Sequence, residues 1–174
     1  MSHAQQLEFV TSVKARFPES FVGKRVLEVG SLDINGSVRQ FFEGCTYLGV
    51  DLGEGKGVDL VCPGHLLNLP DNTFDTVISC ECFEHDKHWQ QTFLKMVSLS
   101  NHLVVFTCAT DGRREHGTTA SDPEDAPFTH DYYKNLGVRD FVQAIDFPAL
   151  FDDFCFFVES GHHDLCFWGE KRKA

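Results

Sequence analysis

Long apolar runs are missing from this 174-residue chain. Nothing approaches the roughly 18 consecutive apolar residues that a bilayer crossing requires, so no membrane-spanning helix is expected. Paired cysteines are missing too: the seven, at 45, 62, 80, 82, 108, 155 and 166, form no C-x-x-C pair. Cys80 and Cys82, one residue apart, point to opposite sides of an extended chain and do not have the spacing of a zinc knuckle. No metal site is expected. The opening residues Met1-Ser2-His3-Ala4-Gln5-Gln6 lack the basic and apolar regions of a secretion signal, and with unpaired thiols this argues for a reducing cytoplasm. Basic residues are scarce. Fifteen against 26 acidic ones give a net charge of −11, a field that repels polyanions, so nucleic acid is a poor partner. The basic run Lys171-Arg172-Lys173 sits at the extreme end, where it reads as a solvated tail. Internal repeats and low-complexity tracts are absent.

What the chain does hold is aromatic weight and alternation. Aromatics make up 13% of residues, with 17 Phe, which suits a packed α/β core. One domain spanning residues 1–174 is the natural reading for this length. Leu7, Val10 and Phe17 predict a leading amphipathic helix over 5–17, ended by Pro18. Apolar strands follow at 25–29, 46–50, 58–61, 74–79 and 102–107. Helical spacing recurs at 37–42, at 88–99 and through Val138, Phe141, Val142 and Ile145. Segments 154–158 and 164–168, joined through Gly161, predict a closing antiparallel hairpin. Strands alternating with helices specify a doubly wound sheet. The polar stretch from Thr110 to Tyr133 is too long for an ordinary connection and reads as a lid or substrate loop.

The segment Arg25-Val26-Leu27-Glu28-Val29-Gly30 runs from an apolar strand into a glycine turn, and a second strand ends on Asp51, about 20 residues later. Such an arrangement reads as a nucleoside site, with the carboxylate accepting from ribose hydroxyls. The dinucleotide fingerprint G-x-G-x-x-G is absent. Between Gly30 and Gly36 lie Ser31, Leu32, Asp33, Ile34 and Asn35, a wider turn suited to a ligand without phosphates.

At these residues the chain resembles the class I S-adenosylmethionine-dependent methyltransferases, whose first motif matches Glu28-Val29-Gly30 with Gly36. The resemblance extends to Leu69-Pro70-Asp71-Asn72-Thr73-Phe74-Asp75-Thr76-Val77, similar to the family's LP-x-x-x-FD-x-V run, and to Glu84-His85, similar to the EH that opens the next helix. It covers about half the chain. It implies a Rossmann-like seven-stranded sheet of order 3-2-1-4-5-7-6 with the last pairing antiparallel, S-adenosyl-L-methionine as cofactor, and a small-molecule methyl acceptor. Asp51 would take the ribose, since its two oxygens match two hydroxyl donors. Leu52 would cover one face of adenine. Gly30 would leave the ligand's path free of a Cβ, and Glu28 would anchor the turn or, through water, the donor's amino group. Gly36, Gly64, His65 and Cys80 complete the expected lining, with Ser31 and Asp33 weaker candidates. The family's acidic residue after the third strand is missing here, where the chain reads Val61-Cys62-Pro63-Gly64-His65-Leu66; backbone groups of Gly64 and His65 are the expected substitutes.

Methyl transfer asks the protein to align donor and acceptor and, for a hydroxyl or amine, to remove a proton. His85 is the first candidate base, because imidazole titrates near neutrality. His116, His130, Tyr132 and Tyr133 are further candidates; His162-His163 read as solvent-facing. Oxygen or nitrogen is favoured as the methylated atom over carbon or sulfur. Two alternatives stay open: an NAD-dependent dehydrogenase, and a non-catalytic nucleoside- or partner-binding module, which many exposed phenylalanines would favour. Oligomeric state is open.

Overall fold

The computed structural model describes residues 3–129 and 131–173. The leading helix α1 spans Ala4–Arg16 and leaves Lys14 and Arg16 in its last turn, where cations complement the helix dipole. Strand β1 is Arg25–Val29, as expected, β2 Thr46–Asp51, β3 Leu60–Val61 and β4 Phe74–Cys80. Helix α2 (Trp89–Leu99) leads into β5 (Ser100–Ala109), and α3 (Val138–Ala144) and the short α4 (Phe147–Leu150) precede the hairpin of β6 (Phe151–Glu159) and β7 (Asp164–Lys171). The strands form one sheet of order β3-β2-β1-β4-β5-β7-β6. β1 to β5 pair in parallel, while β7 runs antiparallel to both β5 and β6. The architecture is therefore the expected doubly wound one.

Two departures are local. The crossover expected over 37–42 is a single 3-10 turn, Val38–Phe41. β3 begins at Leu60 rather than Val58, whose N–H closes a turn onto the Gly55 carbonyl instead of joining the ladder.

Side chains alternate across the sheet. Val26, Ile78 and Val105 pack with Val10, Val13 and Phe21 under α1, while Leu27, Val77, Val104 and Phe106 pack with Phe93, Met96 and Phe141 under α2 and α3. On the second face Phe106, Phe167 and Phe156 stand opposite one another on β5, β7 and β6. Ring centroids there lie 5.1 Å apart for Phe106–Phe167 and 4.9 Å for Phe156–Phe167, separations at which each pair adds about 0.5–1.5 kcal/mol beyond area burial. The phenylalanine content is thus core: among the large exposed apolar side chains only Phe128 and Phe157 are phenylalanines, which removes the support expected for a partner-binding surface. No helix among the described residues is long and apolar enough to cross a membrane.

Candidate functional site

A parallel sheet opens a crevice beyond the carboxyl ends of its strands where the strand order reverses, here between β1 and β4. The structure has a cavity of about 700 Å³ at that place. It gathers Glu28, Gly30, Ser31 and Gly36 from the end of β1 and its turn, Asp51 and Leu52 from β2, Gly64 and His65 from beyond β3, Cys80 from β4, and His85 and Tyr132. All the expected lining residues therefore meet in one space; Asp33 and His116 are not part of it.

Asp51 ends β2 with its carboxylate held by two backbone donors. Leu32 N–H donates to Oδ2 at 2.9 Å and Leu52 N–H to Oδ1 at 2.7 Å. Burial raises its pKa and those amides oppose the rise. Each oxygen has a second lone pair, so the group stays able to accept two further donors from a ligand. Gly30 has φ +80°, and a Cβ there would lie 2.6 Å from Cys82 Cβ. The glycine is required by its backbone conformation and by Cys82. Asp33 turns away from the cavity: Lys56 Nζ lies 2.7 Å from its carboxylate and Gly36 N–H donates to it at 2.7 Å. Ser31 is buried with its hydroxyl unpartnered among the described residues.

Glu28 lies on the same face of the sheet as α1, where Tyr47 Oη donates to its Oε2 at 2.8 Å. Burial raises its pKa to about 8, against the hydrogen bond from Tyr47 and the charge of Arg39. Cys80 and Gln6 line the cavity beside it, and burial, then the Glu28 charge, pushes the Cys80 thiol up to about 12.

After β4 the chain turns sharply at Glu81, whose φ is +51°, and a 3-10 turn follows over Phe83–His85. His85 faces the cavity but is buried, and its Nε2 lies 3.3 Å from Nε2 of His116. Tyr133 packs edge-on against both rings. Burial, then the neighbouring His116, lowers the pKa of His85 to about 4. Held there, His85 is neutral at pH 7 and a weaker proton acceptor than a free imidazole. His116 sits behind it. His130 lies outside the described residues.

Other placements come only from the tertiary structure. Phe128 reaches over the cavity mouth to Gly53, where a Cβ would lie 2.4 Å from its ring. It is the lone phenylalanine of the polar run from Thr110 to Tyr133, the one signal the sequence offered. Gln6, Lys87 and His88 also line the cavity, with the His88 and His65 rings 4.3 Å apart; nothing local marked them. His162 is not solvent-facing as expected: its ring meets that of His3 at 3.9 Å, and its carbonyl accepts from Arg113 at 2.9 Å. His163 is exposed.

No protein-family model matches the chain, and no curated protein matches its sequence. Solved structures do. Phosphoethanolamine N-methyltransferase 2 of Haemonchus contortus, with phosphomonomethylethanolamine and S-adenosylhomocysteine bound, aligns over 96% of this chain and 52% of its own, with a TM-score of 0.64 and 18% identity. This chain thus spans about half that protein's length. The 1,6-didemethyltoxoflavin N1-methyltransferase of Burkholderia thailandensis aligns over 99% and 93% of the two chains (TM-score 0.60, 14% identity). The 4+2 cyclase SpnF aligns over 95% and 81% (TM-score 0.63, 12% identity). The chain has the class I methyltransferase fold, and that fold also carries a cyclase.

Proposed function

We propose that this protein binds S-adenosylmethionine in the cavity above β1, β2 and β4 and transfers its methyl group to a hydroxyl or amine of a small molecule. The observation that carries this reading is the convergence of the Gly30 turn, the Asp51 carboxylate and the turn after β4 on one cavity. It fits the nucleoside part of the donor: Asp51 keeps lone pairs for both ribose hydroxyls, Leu52 offers an apolar surface to the purine, and the mouth is covered by Phe128. When bound, the donor supplies a methyl carbon on a cationic sulfur already activated for displacement. The protein's share is to align and enclose. Glu28 and Gln6 stand where a polar amino-acid end needs partners, and residues 126–129 with Tyr132 shield the reacting end from water. His65 and His88 stand where an adenine edge would otherwise meet a carboxylate. The cavity's size and the acidic net charge favour a small acceptor over a polyanion.

Calorimetric titration with S-adenosylhomocysteine tests the reading. Binding to the wild type is expected, with at least a 100-fold loss, about 2.7 kcal/mol, in Asp51→Ala and an unchanged melting curve. Unaltered affinity in that variant overturns the assignment. Titration with NAD is expected to show nothing, because β7 stands between β5 and β6 and the turn lacks the pyrophosphate glycines.

A further inference from the structure

Behind the cavity wall, Glu84, His85 and His116 each present a ligand atom, all within 4.8 Å of one another. All three are buried, and Glu84 is 0% exposed. Neither oxygen of Glu84 has a hydrogen-bond donor among the described residues, and neither does Nδ1 of His85 have a partner. The amides of Glu84 itself and of Ala109 favour the carboxylate's charge but do not reach bonding geometry. A carboxylate taken wholly out of water without a donor or cation is costly.

The histidines carry the second observation. Nδ1 of His116 lies 3.1 Å from the Arg114 carbonyl, which can only accept, so Nδ1 holds the ring proton and Nε2 presents its lone pair. This is the tautomer that a metal-ligating histidine adopts when its other nitrogen donates to a carbonyl. Nε2 of His116 faces Nε2 of His85 at 3.3 Å. Two imidazole nitrogens bound at 2.0–2.1 Å to a tetrahedral ion stand about 3.3 Å apart. One carboxylate and two imidazoles make a mixed oxygen and nitrogen set suited to Zn²⁺, Co²⁺ or Fe²⁺ rather than to Ca²⁺ or Mg²⁺.

We propose that Glu84, His85 and His116 bind one divalent transition ion of zinc's type, which fastens the segment carrying His116 to the turn after β4. The ion supplies the charge that Glu84 lacks and leaves a coordination position for water. The proposal stands apart from the methyl-donor reading, since His85 is the single ligand that also faces the cavity.

The test uses the full chain stripped with a chelator, dialysed against Zn²⁺ and then, separately, Co²⁺. Stoichiometric zinc by elemental analysis is expected, with visible d–d bands of Co²⁺ in a tetrahedral or five-coordinate nitrogen and oxygen environment. Glu84→Gln and His116→Ala are each expected to weaken binding by about 100-fold or more, beyond what loss of an outer partner costs. His3→Ala is expected to bind as the wild type does. Circular dichroism checks that each variant is folded; should His116→Ala fail to fold, Glu84→Gln, nearly isosteric, decides. No zinc retained by the wild type, equal retention by both ligand variants, or a thiolate-to-cobalt charge-transfer band marking cysteine ligation would each overturn the site.

Discussion

Two buried polar clusters lie within a few residues of each other after β4, and they are balanced in opposite ways. In the first, Glu81 and Asp164 share Arg113, whose guanidinium lies 3.6 Å from Glu81 and 2.8 Å from Asp164, while His3 lies 3.0 Å from Asp164. Burial alone would raise Glu81, yet the nearby His3, and then the charge of Arg113, hold it well below the usual carboxylate range. Burial would lower His3, yet the Asp164 and Glu81 carboxylates beside it carry it up to about 9. In the second cluster, burial and then the Glu81 charge push Glu84 up, and burial brings His85 down to about 4. Both groups there are driven toward neutrality. The same turn therefore holds one carboxylate, Glu81, whose charge is matched and one, Glu84, whose charge is not, and the difference is a cation.

The largest effect in breaking this contrast is expected from Arg113→Met. It leaves two buried carboxylates with only His3 and is expected to cost about 3–5 kcal/mol in urea unfolding at pH 7. A loss below about 1 kcal/mol would mean that Arg113 is not what holds the cluster. Next is the pH dependence of the metal-free protein. Glu84 keeps in the fold a proton that the unfolded chain releases above about pH 4.5, so its contribution declines as pH rises from there. Glu84→Gln is expected to remove that decline, at most about 1.4 kcal/mol per pH unit, in urea midpoints compared between about pH 5 and pH 8. His3 acts in a different window: its raised pKa gives stability that is complete below its ordinary 6.5 and lost as pH climbs through about 9. His3→Gln is therefore expected to flatten the alkaline limb of the same curves and leave the acid limb to Glu81, whose lowered pKa withdraws stability as pH falls below 4.5. The smallest effect is expected at the cavity mouth, away from both clusters. Gly53→Ala displaces the Phe128 ring, so stability should change by less than about 1 kcal/mol while calorimetric affinity for S-adenosylhomocysteine falls several-fold.

The sheet was legible in the sequence where pattern and turn chemistry are local. Arg25–Val29 is a strand at the residues its apolar run marks, and the hairpin of β6 and β7 follows from two apolar segments around Gly161. The crossover after Gly36 was not, because apolar spacing over 37–42 does not distinguish a 3-10 turn from an α-helix. The same division runs through the site. Gly30 and Asp51 stand out because a strand end and a fixed spacing place them without knowledge of the rest of the chain. Phe128 over Gly53, Gln6 beside Cys80 and His116 against His85 are meetings across long loops, where sequence distance carries no sign of approach. Asp33, the weaker candidate, shows the converse: it lies inside the motif, but Lys56 and the Gly36 amide draw it outward.

Arg113 stands at the foot of the loop that covers the cavity, and its anchor Asp164 begins β7. A ribosome delivers that anchor late, 51 residues after Arg113 itself, at about 5–20 residues per second. For those seconds the guanidinium has one carboxylate fewer to meet, so the loop's foot gains its second anchor only as β7 joins the sheet.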